Sequence, residues 1–179
     1  MQDADLFMEL AGIAGVFVGF GALIAVRSGG PTEPREVAPM RGVVSTGVLT
    51  VMAALYPVTL GFFDLAQHQV WALSSALFLA GAVVMYAVIL QTPEYRAMLA
   101  QEAEAARASS RGRWYVVFRD VVLNALLMLA MVLIPIVILL GVAPELEAGL
   151  YFALVVLALF EAAWMLLLLV FAQRLPESA

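Results

Sequence analysis

The chain has 179 residues, of which 64% are hydrophobic and 13% are charged, and its formal net charge is −5. A soluble domain of this length needs far more polar surface, so the composition excludes an ordinary soluble globular protein. The sequence has no cysteine and one histidine, which excludes disulfides, thiolate metal sites, thiol redox chemistry and a bis-histidine haem within one chain.

Five apolar runs are long enough, or nearly so, to cross about 30 Å of hydrocarbon as helices. They cover residues 6–26, 42–63, 70–90, 115–141 and 149–172. The sequence therefore predicts an all-α integral membrane bundle of five transmembrane helices. The bundle forms a single transmembrane domain over residues 1–179 and leaves no room for a separate soluble domain.

The first predicted span follows an acidic N-terminus without a basic region, which is typical of a retained helix rather than a cleaved signal peptide. Gly12, Gly15 and Gly19 lie along this span, and the last two form a GxxxG step. Missing side chains let a second helix approach closely, so we interpret these glycines as helix-packing residues. Their partner is either another helix of this chain or a helix of a neighbouring chain.

The first connection, residues 28–39, contains two glycines and three prolines, so the sequence predicts a loop there with no helix beyond a single turn. The second span then carries small or polar residues at spacings of three and four, which puts them on one helical face. This face comprises Thr46, Thr50, Ala53, Pro57, Gly61 and Asp64. It either lines a water-filled path or seats a neighbouring helix, with the threonines bonded to the preceding turn.

The turn after the second span holds Asp64 and His68. One carboxylate and one imidazole suit a weak metal or proton site at the mouth of a path, particularly if several chains bring copies together. The alternative is that His68 is only a solvated interfacial histidine. Further along, the connection over residues 93–113 begins with proline and continues through good helix formers, which predicts a short helix in a cytoplasmic loop.

The second and fourth predicted spans share a pattern. Arg41 and Arg119 are each followed two residues later by a Val-Val pair and, 16 residues later, by Pro57 and Pro135. The pattern favours a parallel repeat in which spans two and three correspond to spans four and five. Alternatively, the apolar helices match by chance, the arginines are interfacial anchors and the two prolines only introduce kinks.

The fifth span carries Glu161 near its middle. A rise of about 1.5 Å per residue from the inner ends places Glu161, Asn124 and Thr50 at depths of roughly 16, 13 and 12 Å, in one layer. An ionisable group at that depth is costly and faces protein or water. Glu161 is either a proton or cation site in a conduction path, or a protonated carboxyl that joins two spans by a hydrogen bond.

All nine basic residues are arginines, and a five-span topology puts them only in the first and third connections, their flanks and the C-terminal tail. The positive-inside rule then predicts an outside N-terminus and a cytoplasmic C-terminus. On the outer side the acidic residues have no basic residues to balance them. They either form a vestibule that attracts cations, or they are the charged residues that remain because arginine is excluded from this side. They are Asp3, Asp5, Glu9, Asp64, Glu145 and Glu147.

The sequence has no Ser/His/Asp set, no HExxH and no lysine-bearing phosphate loop, so it predicts no enzyme, no catalytic residue, no metal centre and no cofactor. The expected location is the lipid bilayer of a bacterial-type inner (plasma) membrane, with no nucleic-acid partner. We expect an oligomeric channel or small carrier for cations or protons. The alternative is a non-catalytic assembly or regulatory subunit that docks other membrane proteins through the first helix.

Overall fold

A computed structural model of the chain describes residues 4–27, 34–93, 95–97, 100 and 111–172. These residues form five long α-helices and contain no β-strand. The helices are α1 (Ala4–Arg27), α2 (Pro34–Leu60), α3 (Gln67–Gln91), α4 (Arg111–Leu139) and α5 (Glu147–Ala172), and a short 3-10 helix (Pro144–Leu146) precedes α5. The all-α fold class that the apolar runs predict is therefore confirmed.

Four of these helices are long and apolar enough to cross a membrane. The four segments are Ala4–Ile24, Met40–Leu60, Gln67–Gln91 and Pro144–Leu167. In α4 the corresponding apolar segment, Ala125–Leu139, is shorter. The chain thus has the architecture of a membrane protein, whereas a fifth crossing, the orientation and the hairpin repeat stay predictions.

Two boundaries differ from the predicted ones. Residues 34–39 belong to α2, so the predicted loop is wrong there, and residues 28–33 lie outside the described part of the chain. Proline at the start of a helix costs no hydrogen bond, and the helix formers after Pro34 outweigh the single bond that Pro39 removes. Of the predicted 93–113 helix, residues 95–97 and 100 are helical and 111–113 begin α4, while most of the remainder lies outside the description.

At its other end, α2 stops at Leu60, because the backbone tightens into a turn in which the Phe62 N–H bonds to the Thr59 carbonyl. Gly61 and Asp64 consequently lie in an exposed turn and not on the α2 face where the spacing pattern predicts them. The buried part of that face ends at Pro57.

The packing places α3 and α5 diagonally across a bundle. Helices α2, α3, α4 and α5 contact one another in a ring, α3 also contacts α5, and α1 packs against α2 and α5. The first residues of α3 and α5 meet through His68 and Glu147, so these two helices run in the same direction. Residues on their facing surfaces therefore meet in the same order along the two helices.

Helix α2 continues through Pro57, which removes the N–H that would bond to the Ala53 carbonyl. The Tyr151 hydroxyl of α5 donates a 2.8 Å hydrogen bond to that carbonyl oxygen. A buried carbonyl without a donor is costly in an apolar interior, and a neighbouring helix here supplies the donor. Pro135 likewise lies inside α4. The predicted kinks at both prolines stay predictions.

Candidate functional site in the bundle interior

Glu161 lies on the face of α5 that also carries Leu154 and Ala158, and this face packs into the core. Its side chain is 1% exposed. The Glu161 Oε2 atom has no hydrogen-bond partner within the described ranges. A buried carboxyl group therefore has one oxygen without a hydrogen-bond partner among the described residues, and that oxygen can bind a proton, a cation or water.

Tyr86 of α3 lies close enough to Glu161 for the two side chains to interact. Its hydroxyl also contacts the Met128 sulfur of α4, at 2.5 Å. A tyrosine hydroxyl carries one proton and can also accept a hydrogen bond. Tyr86 can therefore donate its proton to Met128 and still accept a hydrogen bond from a protonated Glu161 carboxyl. Side chains of two further helices thus meet at Tyr86, which lies beside a carboxyl that can hold a single proton.

The layer predicted at this depth is only partly described. Thr50 is fully buried, and its hydroxyl donates to the Thr46 carbonyl of the same helix, at 2.7 Å. A threonine bonded to the preceding turn is what we expect if this face of α2 packs against a neighbouring helix. Thr46 is itself buried. The Asn124 side chain lies outside the described part of the chain, so its place beside Glu161 stays a prediction.

His68 is paired at the start of α3. Its Nδ1 lies 2.6 Å from Oε1 of Glu147, and the two side chains are 50% and 2% exposed. The first turn of α5 also favours the Glu147 carboxylate, because the N-terminal end of a helix carries partial positive charge. Glu147, predicted as one of several outer acids, is therefore an interior partner of His68, whereas Asp64 is exposed.

Across the described ranges, no group of three His, Asp or Glu side chains is placed to hold a metal ion. The His68–Glu147 pair offers two possible ligands at most, too few for the tetrahedral or octahedral sites that proteins usually build. A metal ion bound at the outer turn would therefore have no third ligand among the described residues of this chain.

The predicted packing glycines lie on the outside of the bundle. A Cβ atom added at Gly12, Gly15 or Gly19 would meet nothing within 4 Å in the described structure. Close approaches of α1 to α2 instead occur at Gly21 and at Gly47, where a Cβ would lie 2.6 Å from the Val18 Cγ2 atom. Among the described residues no helix of this chain packs closely against these three glycines, and a partner in a neighbouring chain stays a prediction.

Sequence reasoning missed the buried polar face of α3. Trp71, Ser74, Ser75 and Phe78 follow the spacing of one helical face and are all buried. The signal was present, because a Ser-Ser pair flanked at three residues by two large aromatics is unusual in an otherwise apolar span. No comparable signal in the sequence marked Tyr86, Glu147 and Tyr151 as interaction partners. Their roles depend on which helices contact one another, which the sequence does not show.

Fold and site together define an all-α protein with four helices able to cross a membrane and a carboxyl group buried among them. No protein-family model, no curated protein and no solved structure matches the chain.

Proposed function

We propose that the protein moves protons or small cations across a bacterial-type inner membrane, as an oligomeric channel or small carrier, with Glu161 as the central site. The supporting observation is the burial of Glu161 at 1% exposure with its Oε2 atom unpartnered among the described residues. A carboxyl group at such depth is expensive, and inside membranes such groups typically belong to ion pathways or proton relays.

The proton is the cargo that this geometry supports best. A bare metal cation requires several oxygen ligands to replace its water. In the described interior the polar side chain that interacts with Glu161 is one phenol, that of Tyr86. A proton requires only a single lone pair, so a carboxyl beside a tyrosine is sufficient to bind and release it.

The proposed topology has five spans, with the N-terminus outside and the C-terminus in the cytoplasm. It rests on the arginines, which fall only at alternate connections and in the tail. In this orientation the His68–Glu147 pair lies at the outer end of the bundle and Glu161 lies near the middle of its span. The proposal includes no catalytic activity.

A flux measurement tests the proposal. Protein in liposomes with an imposed pH gradient and an internal pH-sensitive dye should dissipate the gradient. Glu161→Gln keeps the size and polarity of the side chain but cannot titrate, so flux should fall to that of protein-free liposomes. Glu145→Gln removes an exposed acid of the same chain and should leave flux unchanged. Full flux through a correctly assembled Glu161→Gln variant rejects the proposal.

A second candidate is the assembly or regulatory subunit that docks another membrane protein through α1. The open face at Gly12, Gly15 and Gly19 favours it, because close helix packing in lipid uses surfaces of this kind. Gly15→Leu should then abolish association with the partner while the chain itself stays folded. A measurement of mass in detergent distinguishes the two candidates, since a homo-oligomer favours transport and co-purification of an unrelated protein favours docking.

A further inference from the structure

The buried face of α3 contains three polar groups without partners. They are the Trp71 indole nitrogen and the hydroxyl oxygens of Ser74 and Ser75, and none has a hydrogen bond to any residue in the described ranges. Trp71 is 3% exposed and both serines are fully buried. Nearly all buried polar side chains in proteins are hydrogen-bonded, to protein or to ordered water.

A serine inside an apolar helix commonly donates its hydroxyl to the carbonyl four residues earlier. Thr50 of α2 does this, and neither Ser74 nor Ser75 does. Across the bundle, the Tyr151 side chain lies close enough to Ser74 to interact with it, without direct hydrogen-bond geometry. The Tyr151 proton is already donated to Ala53, so its oxygen retains acceptor capacity.

We propose that ordered water binds to the Trp71 indole N–H and to the hydroxyls of Ser74 and Ser75, beside Tyr151. The indole N–H and the serine hydroxyls supply donors, and the hydroxyl oxygens supply acceptors. A water molecule both donates and accepts and typically makes about three hydrogen bonds in a buried site. The cluster contains no charged side chain, which makes a neutral hydrogen-bonding molecule the matching ligand rather than an ion.

The position of this site makes it part of a proton route to Glu161, a role that rests on the proposed function. Trp71 lies one turn from half-exposed His68 at the end where α3 and α5 begin. Glu161 and Tyr86 lie further along the same two helices, and fully buried Phe78 stands between them and the serines. The hydrated site is then the outer part of a route to Glu161, and Phe78 is the apolar layer that a proton must pass.

Radiolytic hydroxyl-radical footprinting of the full chain in detergent tests for the water, because radicals form from water and label nearby side chains. After normalisation for intrinsic reactivity, Trp71 and Tyr151 should be labelled several-fold faster than Met131, a core residue of similar burial. The double variant Ser74→Ala, Ser75→Ala should lose most of that excess at Trp71. Labelling of Trp71 no faster than of Met131 in the unaltered protein shows a dry site and overturns the inference.

Flux assays separate this inference from the proposed function. The double serine variant should slow proton flux several-fold, and Glu161→Gln should abolish flux while leaving Trp71 labelling unchanged. Water at the site together with full flux in the double serine variant overturns the role in the route. Unchanged flux in Glu161→Gln together with strong Trp71 labelling rejects the transport function and leaves the hydrated site standing.

Discussion

The Tyr151 hydroxyl donates to the Ala53 carbonyl at 2.8 Å, across the contact between α5 and α2. Ala53 is the residue whose helical donor is lost at Pro57, four positions later. A proline in a buried helix and a tyrosine 94 residues further along the chain thus form one structural unit. Tyr151 is fully buried, and removal of its hydroxyl takes away the donor that the Ala53 carbonyl has across the bundle.

We expect Tyr151→Phe to destabilise the protein by about 1–2 kcal/mol, the usual net value of a buried hydrogen bond whose acceptor is left unpaired. In a Pro57→Ala background the new N–H at position 57 bonds to the Ala53 carbonyl, and the cost of Tyr151→Phe should fall close to zero. Unfolding in mixed detergent measures both as a double-mutant cycle. If Tyr151→Phe costs the same stability with proline and with alanine at position 57, the tyrosine does not replace the hydrogen bond that Pro57 removes.

The His68–Glu147 pair joins the first turns of α3 and α5, and Glu147 is almost completely buried. We expect Glu147→Ala to lower stability by about 1–3 kcal/mol, at the lower end because His68 is half exposed. His68→Ala in the same background should add little, since the pair is already broken. Glu145→Ala, two residues away and exposed, is the control and should change stability by less than about 0.5 kcal/mol. If the losses of stability of Glu147→Ala and His68→Ala simply add in a thermal melt of the double variant, the two side chains do not stabilise each other.

Close packing of α1 on α2 depends on the absence of a side chain at Gly47. We expect Gly47→Ala to be less stable than Gly15→Ala by about 1–3 kcal/mol, because the added methyl meets the Val18 side chain, whereas position 15 is open. Both changes gain the same helix propensity, so the comparison isolates the steric term. Adding Val18→Ala should recover most of the loss at position 47. A Gly47→Ala protein as stable as Gly15→Ala would mean that the two helices separate easily.

The orientation predicts that the two chain ends lie in different compartments. The sequence has no cysteine, so Asp5→Cys and Ser178→Cys each introduce a single reactive thiol. A membrane-impermeant thiol reagent added outside intact cells should label position 5 and should reach position 178 only after permeabilisation. Labelling of both positions from one side contradicts an odd number of crossings.

Site residues could be nominated from the sequence only where their type is unusual for their setting. Glu161 stands out as a charge in an apolar run, and its burial agrees with that expectation. Asp64 and His68 stood out as a carboxylate and an imidazole in one turn, yet the partner of His68 is Glu147, 79 residues away. The α1 glycines Gly12, Gly15 and Gly19 were selected by spacing, and the glycines at the close contact of α1 with α2 are instead Gly21 and Gly47.

The sequence by itself determined the class of structure. Long apolar runs must satisfy their own backbone hydrogen bonds in lipid, so they form helices whatever their neighbours are, and arginine distribution predicts their direction. Only the tertiary structure decided which side chains meet: that α3 and α5 face each other across the bundle, that Tyr86 lies beside Glu161, and that Tyr151 serves Ala53. Every span draws on the same few apolar residues, so periodicity marks a buried face but does not specify the helix against which it packs.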